Sequence, residues 1–300
     1  MVYTITLNPS IDYVVEVDEL KRGAMNRATS ARVYPGGKGI NVSAVLASLG
    51  IRNRMLGFIA GFTGDELVRS LTKAGLEADF IKLKSGLTRI NMKVCESVST
   101  EINAPGPNIT KDDLKLLEGK LSAVQNGDVL VMSGSVPGGL PNYTYRTILE
   151  LVKAKDIMTV VDTAGEQLIT TLESHPFLIK PNRTELEELF STKIMRVSDA
   201  EKFARNLQEM GARNVLVSLD SEGALLLTED GSVLYREAPQ GQVVNPVGAG
   251  DSMVAGFVAG YLDKGNFEDA LKMGLAAGSA AAFSNGLPSA EDVVSLTRLM

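Results

Sequence analysis

Short apolar runs recur along this chain, and a stretch with helical character separates each from the next. Residues 2–7, 55–60, 129–132, 158–161, 177–179 and 215–217 have this form. The intervening helical segments include 41–49, closed by Gly50, and the amphipathic stretch 200–210. Apolar strands alternating with helices can bury both sheet faces only in an α/β arrangement, a mainly parallel sheet with helices on both faces. A hairpin is expected at 224–235, and helices over 251–262 and 267–283 close the chain.

Two regions break this rhythm. Residues 13–17 with 31–34, and 88–95 with 100–103, read as short strands of mixed polar and apolar character. They predict a small β-sheet lid, formed by insertions at about 12–35 and 87–104 within a single domain spanning 1–300. A lid over the carboxyl edge of the main sheet would exclude water from chemistry there. Its second, apolar face would need cover, so a homodimer formed lid against lid is expected.

Composition narrows the partners. A chain of 300 residues can bury a large core, and its net charge of −6 argues against a nucleic-acid partner. The single cysteine, Cys95, excludes an intrachain disulfide and fits a reducing compartment. No run approaches the ~18 apolar residues of a membrane span, and the first residues do not resemble a signal peptide, so a cytoplasmic protein is expected.

The polar residues that carry chemistry fall where strands end, the edge at which open α/β sheets bind ligands. In NPVGAGDSMVAGF, residues 245–257, glycines and an alanine lead into Asp251 at a helix entrance. The backbone of Gly248, Ala249 and Gly250 can face an anion, and the helix field favours the ionised form of Asp251. A carboxylate beside such a nest can take a proton from a hydroxyl while charge develops on a phosphoryl group. The competing reading is a plain helix cap. In PGGKGIN, residues 35–41, Gly36 and Gly37 allow close approach, Lys38 can neutralise a phosphate, and Asn41 stands at a helix start. The spacing is not that of a Walker A loop. Asp12 can accept from neighbouring sugar hydroxyls or close an Asx-turn. Arg89, in TRIN, offers a fork suited to a terminal phosphate. In KPNRTE the spacing of Asn182 and Glu185 matches a capping box; the alternative is water-mediated organisation of magnesium, with Lys180 near the transferred group. Ser218 and Gly223 flank a turn where a nucleotide could lie. His175 and Cys95 lack companions for metal or nucleophilic work.

Together GGKGIN, KPNRTE and VGAGDS, in this order and at these separations, resemble the ribokinase-like sugar kinases of the PfkB group over essentially the whole chain. TLNPSID, TRIN, TEIN and SGSVP look like its phosphofructokinase branch and a close branch that acts on tagatose 6-phosphate. The resemblance implies an ATP-dependent sugar-phosphate kinase using Mg2+, with Asp251 as base and the 248–250 backbone as anion hole. It implies that Asp12, Gly36, Gly37, Lys38, Asn41, Arg89 and Ser135 hold the sugar phosphate. Lys180, Asn182, Glu185, Ser218, Gly223 and Ser279 would serve the nucleotide, with Glu185 and Asn182 reaching the metal through water. The 6-hydroxyl of fructose 1-phosphate is the implied acceptor; tagatose 6-phosphate, fructose 6-phosphate and a non-catalytic sugar-phosphate sensor are the alternatives. Asn245-Pro246 replaces the Asp-Thr pair of many relatives near a loop that binds a monovalent cation such as K+ in some of them, so potassium use is not implied either way.

Overall fold

The computed structural model describes residues 1–96 and 100–300. Its main sheet has nine strands in the order β13-β12-β11-β10-β9-β8-β1-β4-β5. These are β1 (Val2–Thr6), β4 (Asn53–Ile59), β5 (Ile81–Lys82), β8 (Val129–Ser133), β9 (Met158–Asp162), β10 (Leu178–Ile179), β11 (Asn214–Ser218), β12 (Ala224–Leu227) and β13 (Val233–Arg236). All pairings from β5 to β11 are parallel, while β12 and β13 are the expected antiparallel hairpin. Every residue of β1 and β8 is buried, as continuous apolar runs require when helices cover both sheet faces.

The helices are α1 (Lys38–Ser48), α2 (Gly61–Lys73), α3 (Lys111–Leu121), α4 (Thr144–Val152), α5 (Gly165–Leu172), α6 (Arg183–Phe190), α7 (Val197–Glu209), α8 (Ala249–Lys264), α9 (Phe267–Ala282) and α10 (Ala290–Leu299). Two large apolar clusters result: one takes in Leu117, Ile148, Leu168 and Leu207 from α3, α4, α5 and α7, and the other Val45, Val254 and Leu271 from α1, α8 and α9. None of these helices is long and apolar enough to cross a membrane.

Helices α8 and α9 pack through small residues. A Cβ on Gly256 would lie 2.5 Å from the Met273 carbonyl oxygen, and one on Gly260 would lie 2.9 Å from that of Asp269. Both distances are too short for a side chain, so glycine sets the spacing between the helices. The main sheet is pinned similarly: Gly57, at φ 148°, sits so close to the Thr6 carbonyl that a Cβ there would be 2.0 Å away.

The off-rhythm segments form a second sheet in the order β3-β2-β6-β7. It comprises β2 (Ser10–Glu16), β3 (Ser30–Gly36), β6 (Arg89–Cys95) and β7 (Thr100–Ile102). The expected lid segment 87–104 includes residues 97–99, which lie outside the described residues. Register gives this sheet two chemical faces, because directly paired residues point to the same side. Tyr13 pairs with Val33 and Met92, and Met92 with Ile102; Ser10 pairs with Arg89, and Asp12 with Asn91. The first set is apolar, and its Val33, Met92 and Ile102 are exposed.

Some boundaries differ from expectation. Helix α1 begins at Lys38 with Gly37 as its cap, so Asn41 lies inside the first turn instead of starting the helix. Helix α2 begins at a glycine, Gly61, with Ala60 as its cap one residue beyond β4. In both cases glycine enters the helix from a positive-φ or sharply turned backbone that sequence periodicity does not report.

Candidate active site

Five adjacent parallel strands deliver polar groups to one edge of the sheet. Ser218 ends β11, Lys180 follows β10, Asp162 ends β9, Ser133 ends β8, and Asn8 follows β1. The N-termini of α1 and α8 arrive at the same edge, bringing Lys38 and Asn41 from one and Asp251 from the other.

Gly248 caps α8 in a left-handed conformation, φ 84° and ψ −3°, with no side-chain cap. The Ala249 amide donates to the Pro246 carbonyl at 3.2 Å, and the Ser252 amide to the Gly248 carbonyl at 2.8 Å. Among the described residues, the amides of Gly250 and Asp251 donate to nothing. Two free donors at a helix entrance can face an anion. Asp251 is therefore not a helix cap. Its side chain is buried, and Oδ2 accepts from Asn41 Nδ2 at 2.7 Å.

The ionisation of Asp251 departs from the sequence expectation. The helix field was expected to favour the carboxylate, yet burial, reinforced by the nearby Asp162 charge, pushes its pKa up to about 6. Lys38, the Asn41 hydrogen bond and Lys180 oppose that rise without overcoming it. Desolvation of a charge outweighs a helix dipole worth about 1 kcal/mol.

Beneath this helix lies a cluster centred on Asp162. Its Oδ1 faces Lys180 Nζ at 3.3 Å and Lys38 Nζ at 3.5 Å, and both Asp162 and Lys180 are almost wholly enclosed. Burial would raise Asp162, but the two ammonium groups hold it below the ordinary carboxylate value. In return Asp162, against the cost of burial, raises Lys38 well above the usual lysine value. Lys180 also reaches the entrance of α8: a Cβ on Gly250 would stand 3.2 Å from its Nζ.

Lys38 continues to Glu185 Oε1 at 3.9 Å. Asn182 and Glu185 form the expected capping box: Asn182 Oδ1 accepts from the Glu185 amide at 2.8 Å, and Glu185 Oε2 accepts from the Asn182 amide at 2.9 Å. Each thus spends one oxygen on the helix, leaving Glu185 Oε1 to face Lys38. Asn182 and Ser218 meet in an isolated parallel bridge. Lys38 and the exposed Ser135 line a cleft of about 390 Å³, with Gly134, Asn142, Thr163 and Gln167.

The polar face of the small sheet carries a second group. Asp12 Oδ1 accepts from Ser10 Oγ at 2.7 Å and Asn91 Nδ2 at 3.2 Å, and its Oδ2 pairs with Lys93 Nζ at 3.1 Å. Gly36 lies against this carboxylate, where a Cβ would come within 2.4 Å of Oδ1. Arg89 donates to the carbonyls of Asn8 at 3.2 Å and Ala104 at 3.5 Å. It has no carboxylate partner at ion-pair distance among the described residues. Burial lowers its pKa, with the Asp12 charge opposing.

The structure therefore joins Asp251, Asn41, Gly250, Lys38, Lys180, Asn182, Glu185 and Ser218 in one contact chain, and Asp12, Gly36 and Arg89 in a neighbouring group. Gly37, at φ 125°, links the two. Gly223 packs against the Arg236 carbonyl, where a Cβ would lie 2.0 Å away, and so shapes the turn from β11 into β12. Ser279 is buried in α9 and makes no side-chain hydrogen bond to the cluster. Sequence reasoning missed Asp162, Asn91 and Lys93. Asp162 had a signal, a lone acid closing the apolar run MTVV. The other two become visible only through the register of β6 against β2.

A model of the pfkB family of carbohydrate kinases matches residues 2–292. The 1-phosphofructokinase of Bacillus subtilis (strain 168) is 44% identical over 296 residues, covering 99% of this chain and 97% of that protein. The D-tagatose-1-phosphate kinase of Bacillus licheniformis is 36% identical over 289 residues, covering 96% and 94%. Phosphofructokinase-2 from Escherichia coli, solved in complex with potassium, superposes with a TM-score of 0.93 at 30% identity, covering 99% and 98%.

Because the pKa of Asp251 is raised on folding, its stabilising contribution is full below the ordinary carboxylate pKa of 3.8 and is lost as pH rises through about 6. Ionising it in the ligand-free protein costs on the order of 3 kcal/mol. Asp251→Asn is expected to raise Tm at pH 8, with the difference narrowing as pH falls below about 6 and closing only below the ordinary carboxylate pKa of 3.8. A difference independent of pH would contradict the buried, raised carboxyl.

Proposed function

The chain belongs to the pfkB family of carbohydrate kinases, and from that premise we propose that it transfers the γ-phosphoryl group of ATP to the 6-hydroxyl of fructose 1-phosphate, giving fructose 1,6-bisphosphate. The observation that carries the reading is the buried Asp251 beside the two unbonded amides at the start of α8. The Asp251 carboxylate accepts the hydroxyl proton as the oxygen–phosphorus bond forms and the bond to ADP breaks. Charge on the transferring group then meets the Gly250 and Asp251 amides and the Lys180 ammonium. The proton leaves Asp251 for solvent once product departs. Such preorganised donors are typically worth roughly 3–4 kcal/mol each to the transition state.

Sugar recognition falls to the second group. Asp12 presents a carboxylate to ring hydroxyls, and Arg89, without an acidic partner, is the guanidinium that takes the sugar's own phosphate. Lys38, held by Asp162 and Glu185, borders the same cleft as Ser135. A non-catalytic sensor would need none of the anion-hole geometry around Asp251, which favours the enzyme reading.

The residues present fit a nucleotide-borne magnesium ion. Among the described residues there is no cluster of three or more acidic, His or Cys ligands. Mg2+ characteristically relies on substrate phosphates with one or two carboxylates, and Glu185 Oε1, reached through water with Asn182 alongside, is the group facing that space. When bound, the ion neutralises phosphate charge. The potassium complex is a property of the Escherichia coli protein, and Asn245-Pro246 carries no carboxylate to offer a cation here.

We read the whole chain as one kinase unit that dimerises through its lid. The apolar face bearing Val33, Ile90, Met92 and Ile102 is exposed in a single chain, and a second copy would cover it. Sedimentation is expected to give the mass of two chains at micromolar concentration; a single-chain mass would contradict the lid pairing.

The activity is tested by kcat/KM for fructose 1-phosphate, fructose 6-phosphate, tagatose 6-phosphate and, because the Bacillus licheniformis relative is a D-tagatose-1-phosphate kinase, tagatose 1-phosphate. Fructose 1-phosphate is expected to exceed both 6-phosphates by at least about tenfold, the effect of one mismatched charge-assisted contact. Preference for a 6-phosphate would overturn the assignment.

A further inference from the structure

Two buried carboxylates and two lysines meet at the sheet edge, and their pairing is lopsided. Both ammonium groups lie on Asp162 Oδ1, Lys180 at 3.3 Å and Lys38 at 3.5 Å. Among the described residues Asp251 has no ion pair, and its hydrogen bond comes from the neutral amide of Asn41. Asp162 Oδ2 is buried without a hydrogen-bond partner, as is the hydroxyl of Ser133, its register neighbour on β8. A wholly enclosed carboxylate with an unsatisfied oxygen is costly, and the fold of the sheet edge alone does not require it.

We propose that Asp162 is a positioning residue: it draws Lys38 and Lys180 to itself and so leaves Asp251 without a lysine partner, free to take the proton of the sugar hydroxyl. The inference rests on the reading of Asp251 as the base. Lysine bound directly to Asp251 would neutralise it and occupy the oxygen that must receive the proton, giving a weaker base. Asp162 prevents this in two ways. It supplies a competing anion from β9, and its own charge raises the proton affinity of Asp251. The same pairing aims the two cations: Lys180 from the end of β10 lies against Gly250 of the anion hole, and Lys38 from α1 stands between Asp162 and Glu185 of α6. The charged groups around Asp251 are thus Asp162, Lys38 and Lys180, with Glu185 acting at one remove through Lys38.

The test is Asp162→Asn, read in two ways. In the ligand-free protein, the side-chain carboxyl 13C resonance of Asp251 is titrated directly, which avoids the phosphates of substrate and nucleotide that also titrate near pH 6. In steady state, kcat is followed against pH with the preferred sugar phosphate at fixed excess Mg2+. The proposal expects the Asp251 titration and the acidic limb of kcat to move to lower pH, and turnover at pH 7 to fall by ~10-fold or more. An unmoved Asp251 titration overturns it. So does loss of turnover that raising Mg2+ well above that level restores with the limb unchanged, since Asp162 would then serve the metal. If Asp162→Asn does not fold, the double variant Asp162→Asn, Lys180→Met removes one of the two stranded cations. Its Asp251 titration is expected to move in the same downward direction, because Lys38 then has Asp251 as its remaining buried acceptor. Asp251→Asn separates the two readings: retained turnover there removes Asp251 as base, whereas loss of turnover in Asp251→Asn together with an unmoved titration in Asp162→Asn removes only the role of Asp162.

Discussion

The structure depends on how charge is buried at the carboxyl edge of a parallel sheet. Asp162 and Asp251 are both enclosed, and two lysines partition unequally between them. That inequality splits two chemically similar acids: Asp162 is held below the ordinary carboxylate range and Asp251 is raised to about 6. A carboxylate poised near neutral pH, beside donors with no other partner, is suited to proton transfer. The arrangement lowers the stability of the empty protein, as preorganised sites commonly do.

The backbone makes this possible by close approach. Gly248 turns into α8 with φ 84°, and no side chain caps the helix, so among the described residues the Gly250 and Asp251 amides stay free. Gly256 and Gly260 let α9 press against α8, which fixes the direction of that helix and hence of its amides. Gly36 and Gly37 play the matching part at the other side, seating the Asp12 carboxylate and the entrance of α1 together. The small sheet adds a polar face carrying Asp12 and Arg89 and an apolar face carrying Val33, Met92 and Ile102, both from one alternating register.

Much of this was legible in the sequence, for identifiable reasons. Apolar runs separated by helical segments dictate the parallel sheet, and the turn residues around Asp12, Lys38, Lys180 and Asp251 lie at strand ends where that sheet must bind ligands. The capping box at Asn182 and Glu185 also follows from spacing alone. What escaped was anything set by three-dimensional pairing. Asp162 appears in the sequence as one acid after a strand, and only the convergence of β9, β10 and α1 gives it two lysines. Lys93 meets Asp12 through strand register. The raised pKa of Asp251 escaped because a helix entrance is visible in sequence, whereas the depth of its burial is not.

The central claim is that Asp251 acts as a base in one direct transfer and does not itself carry the phosphoryl group. The most direct measurement is the stereochemical course at phosphorus, using ATP whose γ-phosphoryl group is made chiral with oxygen isotopes. A single in-line displacement by the sugar hydroxyl predicts inversion of configuration in the product. Retention would mean two displacements through a phosphorylated enzyme, and would contradict the account by making a buried carboxylate the nucleophile.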